Sequence, residues 1–169
     1  MAETLAPALP DDVDALAERV LDLACEKDVL LTTAESCTGG LLAALLTDVP
    51  GKSHVFERGF VVYSEQAKCD LLGIRQEKVT ACGAVSRAVA EDMAAGALQA
   101  SGAGLALSIT GFAGPGADDE EEGLVHFACA TVGKQIDHRE EHFGPIGRQG
   151  VRLAALRTAL EMMERALRA

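Results

Sequence analysis

The chain has 169 residues, 49% of them hydrophobic and 24% charged. That is one domain of ordinary size with enough apolar side chain for a core, and it excludes a disordered tail or a stapled miniature scaffold. Lys and Arg number 15 against 26 Asp and Glu, a net charge of −11 that repels a phosphate backbone and excludes general nucleic-acid binding. Five scattered cysteines without a C-x-x-C pair suit a reducing cytoplasm rather than a disulfide framework. No stretch reaches the roughly 20 apolar residues of a membrane span, and the acidic start Met1–Asp14 is unlike a signal peptide.

Residues 1–10, with Pro7 and Pro10, read as a loose lead-in. From Asp11 to Lys27 the 3-4-3 spacing of Val13, Leu16, Val20 and Leu23 predicts an amphipathic helix. Val29–Thr33 is a buried strand that feeds Ala34-Glu35-Ser36-Cys37-Thr38-Gly39-Gly40, and Leu41–Thr47 continues as helix. After the Pro50-Gly51 turn, Gly59–Tyr63 is a second strand, with Ser64 as N-cap of a helix through Leu72. A connector and Gly83 lead to a helix opening near Ser86, with Val85, Val89 and Met93 on one face.

Leu105–Ile109 is a third strand running into Thr110-Gly111-Phe112-Ala113-Gly114-Pro115-Gly116. The acidic run Asp118–Glu122 reads as a solvated loop tip. Leu124–Val132 and Gln135–Phe143 flank Gly133-Lys134 as a β-hairpin, and Leu153, Leu156, Leu160, Met163 and Leu167 mark a long C-terminal helix. The alternation predicts an α/β protein: a single three-layer α/β/α domain over residues 1–169, with a mixed, mostly parallel sheet and a C-terminal antiparallel hairpin.

Two loops follow strands with glycines at a helix start or turn. Either serves merely as a tight turn, or the pair, which includes Glu35, Ser36, Thr38, Gly39, Gly40, Thr110, Gly111, Ala113 and Gly114, walls a ligand crevice beyond the strand ends. Free amides before Leu41 suit a phosphate or carboxylate. Arg148, at the start of the last helix, sits where the helix dipole disfavours a cation, so an anionic partner helps to explain it. Arg152, Arg157, Arg165 and Arg168 form the wet face of that helix.

Ser53, Tyr63 and Lys68 offer a hydroxyl, a phenol and an amine. Spacing alone makes Lys68 a solvated surface lysine, whereas a lysine of lowered pKa would serve as a base for serine without histidine. The four histidines, at 54, 126, 138 and 142, show no zinc spacing, and no metal or cofactor is expected.

Taken together, Ala34–Gly40, Pro50-Gly51-Lys52-Ser53, Gly59–Ser64 with Ala67-Lys68, Gly83-Ala84-Val85-Ser86 and Ile109–Pro115 resemble the CinA C-terminal-domain family in its stand-alone form, from about Leu16 to Leu167. The resemblance implies a cytoplasmic, homo-oligomeric nicotinamide mononucleotide deamidase of pyridine nucleotide salvage, which forms nicotinate mononucleotide and ammonia. It implies Ser53 as nucleophile with Ser36 as rival, Lys68 as general base, Tyr63 as proton relay, Thr110 on the carboxamide and Arg148 on the anionic part of a small-molecule nucleotide. The sequence departs from the family pattern at Lys52, at the acidic run and at Gly147. A non-catalytic nucleotide-binding module linked to competence or DNA damage is the alternative.

Overall fold

The computed structural model describes residues 9–169; the lead-in expected over 1–10 lies almost wholly outside that range. Helix α1 (Asp11–Lys27) is followed by β1 (Leu31–Glu35), α2 (Leu41–Thr47), a 3-10 turn over Ser53–Val55 and β2 (Phe56–Val61). Then come α3 (Glu65–Leu72), α4 (Gln76–Cys82), α5 (Arg87–Ala100), β3 (Leu105–Gly111), β4 (Leu124–Thr131), β5 (Asp137–His142) and α6 (Gly147–Arg168). The five strands form one sheet in the order β2-β1-β3-β4-β5. β1 is parallel to both β2 and β3, whereas β4 and β5 are antiparallel additions. The expected α/β architecture and C-terminal hairpin are present.

The two sheet faces differ in side-chain size, and this decides what packs where. Leu105, Leu107 and Ile109 of β3 point into one cluster with Val20 and Leu21 of α1, Leu42 and Leu46 of α2 and Leu156 and Leu160 of α6. The intervening β3 positions are Ala106, Ser108 and Thr110, and together with Ala34, Ala128 and Ala130 they give the other face short side chains. Helix α5 brings Ala90, Ala94 and Ala97 onto that face. The Ser108 hydroxyl donates to the Ala90 carbonyl at 2.6 Å, so strand and helix backbones lie close enough for one short side chain to join them.

Several elements depart from the sequence-based bounds. β1 extends to Glu35 and β2 starts at Phe56. The connector before Gly83 contains α4, which buries only Val79 and therefore shows no apolar stripe. Arg152 leaves the expected wet face, whereas Arg157, Arg165 and Arg168 keep to it and pair with Asp12, Asp137 and Glu164. No described helix is long and apolar enough to cross a membrane.

Gly96 sits inside α5, where a methyl group normally gains roughly 1 kcal/mol over hydrogen. An ideal Cβ there falls 2.2 Å from the Leu72 carbonyl oxygen at the end of α3. Gly96→Ala is therefore expected to destabilise by about 1–3 kcal/mol, because α3 must move off α5. A thermal melt checks this, and an unchanged or raised midpoint contradicts the close approach.

Candidate active site

β1, β2 and β3 run in one direction, so their carboxyl ends open at the same edge of the sheet. The chain leaves β1 for α2 on one face, and the β2 to β3 connection passes over the other. A crevice is left between the departing loops, the usual ligand position in an open α/β sheet. A cavity of about 310 Å³ lies there, at the lower end of the roughly 300–1,000 Å³ range of small-molecule sites.

Ser36, Tyr63, Lys68, Thr110, Gly111, Ala113, Gly114 and Arg148 all line it, together with Glu120. Cys37, Ala84, Val85 and Phe112 also contribute, although sequence reasoning gave them no role. Their only signal is adjacency: Cys37 follows Ser36, Phe112 lies inside the second glycine loop, and Ala84 and Val85 belong to the Gly83-Ala84-Val85-Ser86 motif.

At the cavity floor Lys68 is buried, with only 2% of the residue exposed. Ser64 caps α3 by accepting the Ala67 amide at 3.0 Å, which fixes the turn that carries Lys68 inward. Lys68 Nζ donates to the Val62 carbonyl and to Ser36 Oγ, both at 3.0 Å. No carboxylate among the described residues forms an ion pair with it. Burial therefore dominates and pushes the Lys68 pKa below the ordinary lysine range. Burial pushes the neighbouring Cys37 thiol the other way, up to about 11, so that sulfur stays protonated and inert near neutral pH.

Ser53 does not meet Lys68. It lies exposed in the turn before β2, at the end of the sheet where Leu31 of β1 pairs with Phe56. Ser36 and Lys68 lie beyond the opposite ends of β1 and β2. Six strand residues advance the chain by about 20 Å, which separates Ser53 from the cavity despite its nearness in sequence. Lys52, beside it, is engaged by Asp22 at 2.6 Å. Tyr63 stands at the rim, 69% exposed, and its phenol hydrogen-bonds neither Ser36 nor Lys68.

The free amides expected before α2 are also taken. Glu35 is fully buried, and its carboxylate accepts the Thr38 hydroxyl at 2.6 Å and the Gly40, Leu42 and Ala43 amides at 3.2, 3.1 and 2.8 Å. The chain's own carboxylate thus fills the place considered for a ligand's phosphate, and Glu35, Thr38, Gly39 and Gly40 build the turn beneath the cavity without lining it. Arg148 is exposed over Gly114 and makes no ion pair among the described residues. Thr110 lines the wall with its hydroxyl donated to Ala84 at 2.8 Å.

A model of the CinA C-terminal domain matches residues 13–167. The chain belongs to that family. It is 45% identical over 151 residues to the nicotinamide-nucleotide amidohydrolase PncC of Escherichia coli K12, covering 88% of this chain and 90% of that protein. It is also 45% identical over 159 residues to a CinA-like protein of Chlorobium phaeobacteroides, where the match spans 91% of this chain but only 38% of the relative. Among solved structures, the competence/damage inducible protein CihA of Agrobacterium tumefaciens superposes with a TM-score of 0.92 at 44% identity, covering 97% of this chain and all of that one.

Burial of Lys68 has a measurable consequence for stability. The folded state releases the amine's proton at lower pH than the unfolded chain. The penalty is full below the folded-state pKa and fades as pH rises toward the unfolded value of about 10.4. Lys68→Met has no such titration, so in urea unfolding it is expected to lose ground relative to the parent between pH 7 and pH 10. A difference independent of pH contradicts the lowered pKa.

Proposed function

We propose that this domain hydrolyses the carboxamide of nicotinamide mononucleotide through Ser36, with Lys68 as general base. The observation that carries the reading is the 3.0 Å contact between Ser36 Oγ and a buried amine without a carboxylate partner among the described residues. Support comes from the amidohydrolase name of the Escherichia coli relative, which this chain matches over nine-tenths of its length.

A neutral Lys68 amine has two N–H bonds and one lone pair. One N–H stays on the Val62 carbonyl, which leaves the lone pair free to take the Ser36 proton. Ser36 Oγ attacks the carboxamide carbon as its proton passes to Nζ. The tetrahedral intermediate then collapses as that proton moves to the departing nitrogen, which leaves as ammonia. Water next attacks the acyl-serine, giving a proton to Lys68, which passes it to Ser36 Oγ as the acyl–oxygen bond breaks. The acid product leaves as its carboxylate, releasing its proton to solvent, and the free serine and neutral amine are restored. Ala113 and Gly114 line the cavity, and their amides have no acceptor among the described residues, so they are the donors assigned to the oxyanion.

Arg148 receives the phosphate, since Glu35 occupies the helix start that was the other candidate. Tyr63 offers the pyridine ring an aromatic rim instead of relaying a proton.

Ammonia release from nicotinamide mononucleotide tests this directly. Ser36→Ala and Lys68→Ala are each expected to lose at least roughly a hundredfold in kcat, whereas Ser53→Ala keeps the parent rate. Arg148→Ala is expected to raise KM about tenfold, the worth of one charge-assisted contact. Binding without turnover in the parent favours the nucleotide-binding module instead, and loss confined to Ser53→Ala returns the nucleophile to that residue.

A further inference from the structure

α6 presents two arginines one turn apart, and each guanidinium lies against a glycine of a different cavity loop. An ideal Cβ on Gly114 falls 3.0 Å from Arg148 Nη2, and one on Gly39 falls 3.0 Å from Arg152 Nη2. Arg148 lines the cavity and Arg152 does not. Arg152 Nη2 instead donates to the Thr38 carbonyl at 2.9 Å. Its Nε is buried with no acceptor among the described residues.

From the Glu35 side, the Thr38 hydroxyl is bound at 2.6 Å. One residue is therefore held through its side chain by an anion and through its carbonyl by a cation. Ser36 lies two residues upstream in the same turn, which the Gly39 amide closes by donating to the Ser36 carbonyl at 3.0 Å. We infer that Arg152 is a positioning residue, which acts through the Thr38 peptide to hold Ser36 Oγ at the Lys68 amine. The inference rests on the proposed role of Ser36.

Arg152 is also poorly suited to a purely structural role. A half-buried guanidinium with an orphaned N–H costs free energy that an apolar side chain of similar length avoids. Gly39 must also keep a left-handed backbone, φ +60°, with no Cβ to obstruct the guanidinium. A group that costs stability and orders a reactive turn separates function from folding when replaced.

The test compares the parent with Arg152→Met and Arg152→Lys in ammonia release from nicotinamide mononucleotide, in thermal unfolding and in the rate at which a fluorophosphonate labels Ser36. Arg152→Met is expected to lose at least roughly tenfold in kcat and in labelling rate, with KM within about twofold and a thermal midpoint no lower than the parent's. Arg152→Lys, which keeps one donor, recovers part of both rates. A rise in KM alone makes Arg152 a substrate contact and overturns the inference. So does a fall in midpoint with kcat unchanged. If Met at this position prevents folding, the lysine variant decides: a parental kcat and labelling rate overturn the inference. A parent that labels at Ser36 but releases no ammonia sinks the proposed function, while the labelling rates still decide the role of Arg152.

Discussion

One hydrogen bond organises this molecule: the contact between the Lys68 amine and the Ser36 hydroxyl at the floor of the cavity. Burying an ammonium is expensive unless a carboxylate accompanies it or the proton is given up. Among the described residues no carboxylate pairs with it, so the fold bears part of that cost as a lowered pKa. The remaining partner, the Val62 carbonyl, comes from the residue directly after β2. The position of the amine is thus fixed by the end of one parallel strand and that of the hydroxyl by the end of its neighbour, and the parallel register of β1 and β2 joins them.

The electrostatic design follows from the same edge of the sheet. A chain of net charge −11 needs local cations if it is to meet an anionic ligand. Arg148 at the cavity mouth is such a cation, held over the glycine-rich loop after β3. The amide-rich start of α2 serves a different purpose, since it neutralises the fully buried Glu35. That carboxylate ties the last residue of β1 to the first turn of α2, making the intervening Ser36–Gly40 segment a braced platform. The sheet's small-residue face allows α5 to pack close to β3, keeping Ala84 and Val85 near enough to form a wall.

Much of the architecture was legible because long periodic segments carry it. The α1 stripe of Val13, Leu16 and Val20, the glycine punctuation around Gly111–Gly116 and the hairpin about Gly133-Lys134 each reflect local chemistry. Most cavity residues were legible too, since the glycine loops follow parallel strands. The pairing of hydroxyl with amine was not. Ser53 is nearer Lys68 in sequence than Ser36 is, but an entire strand separates the two, whereas Ser36 reaches Lys68 across two neighbouring parallel strands. The place of Glu35 is hidden from sequence for a related reason. An acid in a loop after a strand reads as part of a ligand crevice until the four donors around it are seen in three dimensions. His126 and His138 are 12 positions apart, yet β4 and β5 bring their ring nitrogens to 3.1 Å, a contact created by hairpin register and hidden from local spacing.

The central claim is that the buried amine activates Ser36 and no other serine. Peptide mapping by mass spectrometry after brief treatment with a fluorophosphonate tests it most directly. The account predicts a single phosphonylated serine at Ser36, with labelling abolished in Lys68→Met. Modification at Ser53 instead, or labelling of Ser36 at an undiminished rate without the lysine, would contradict it.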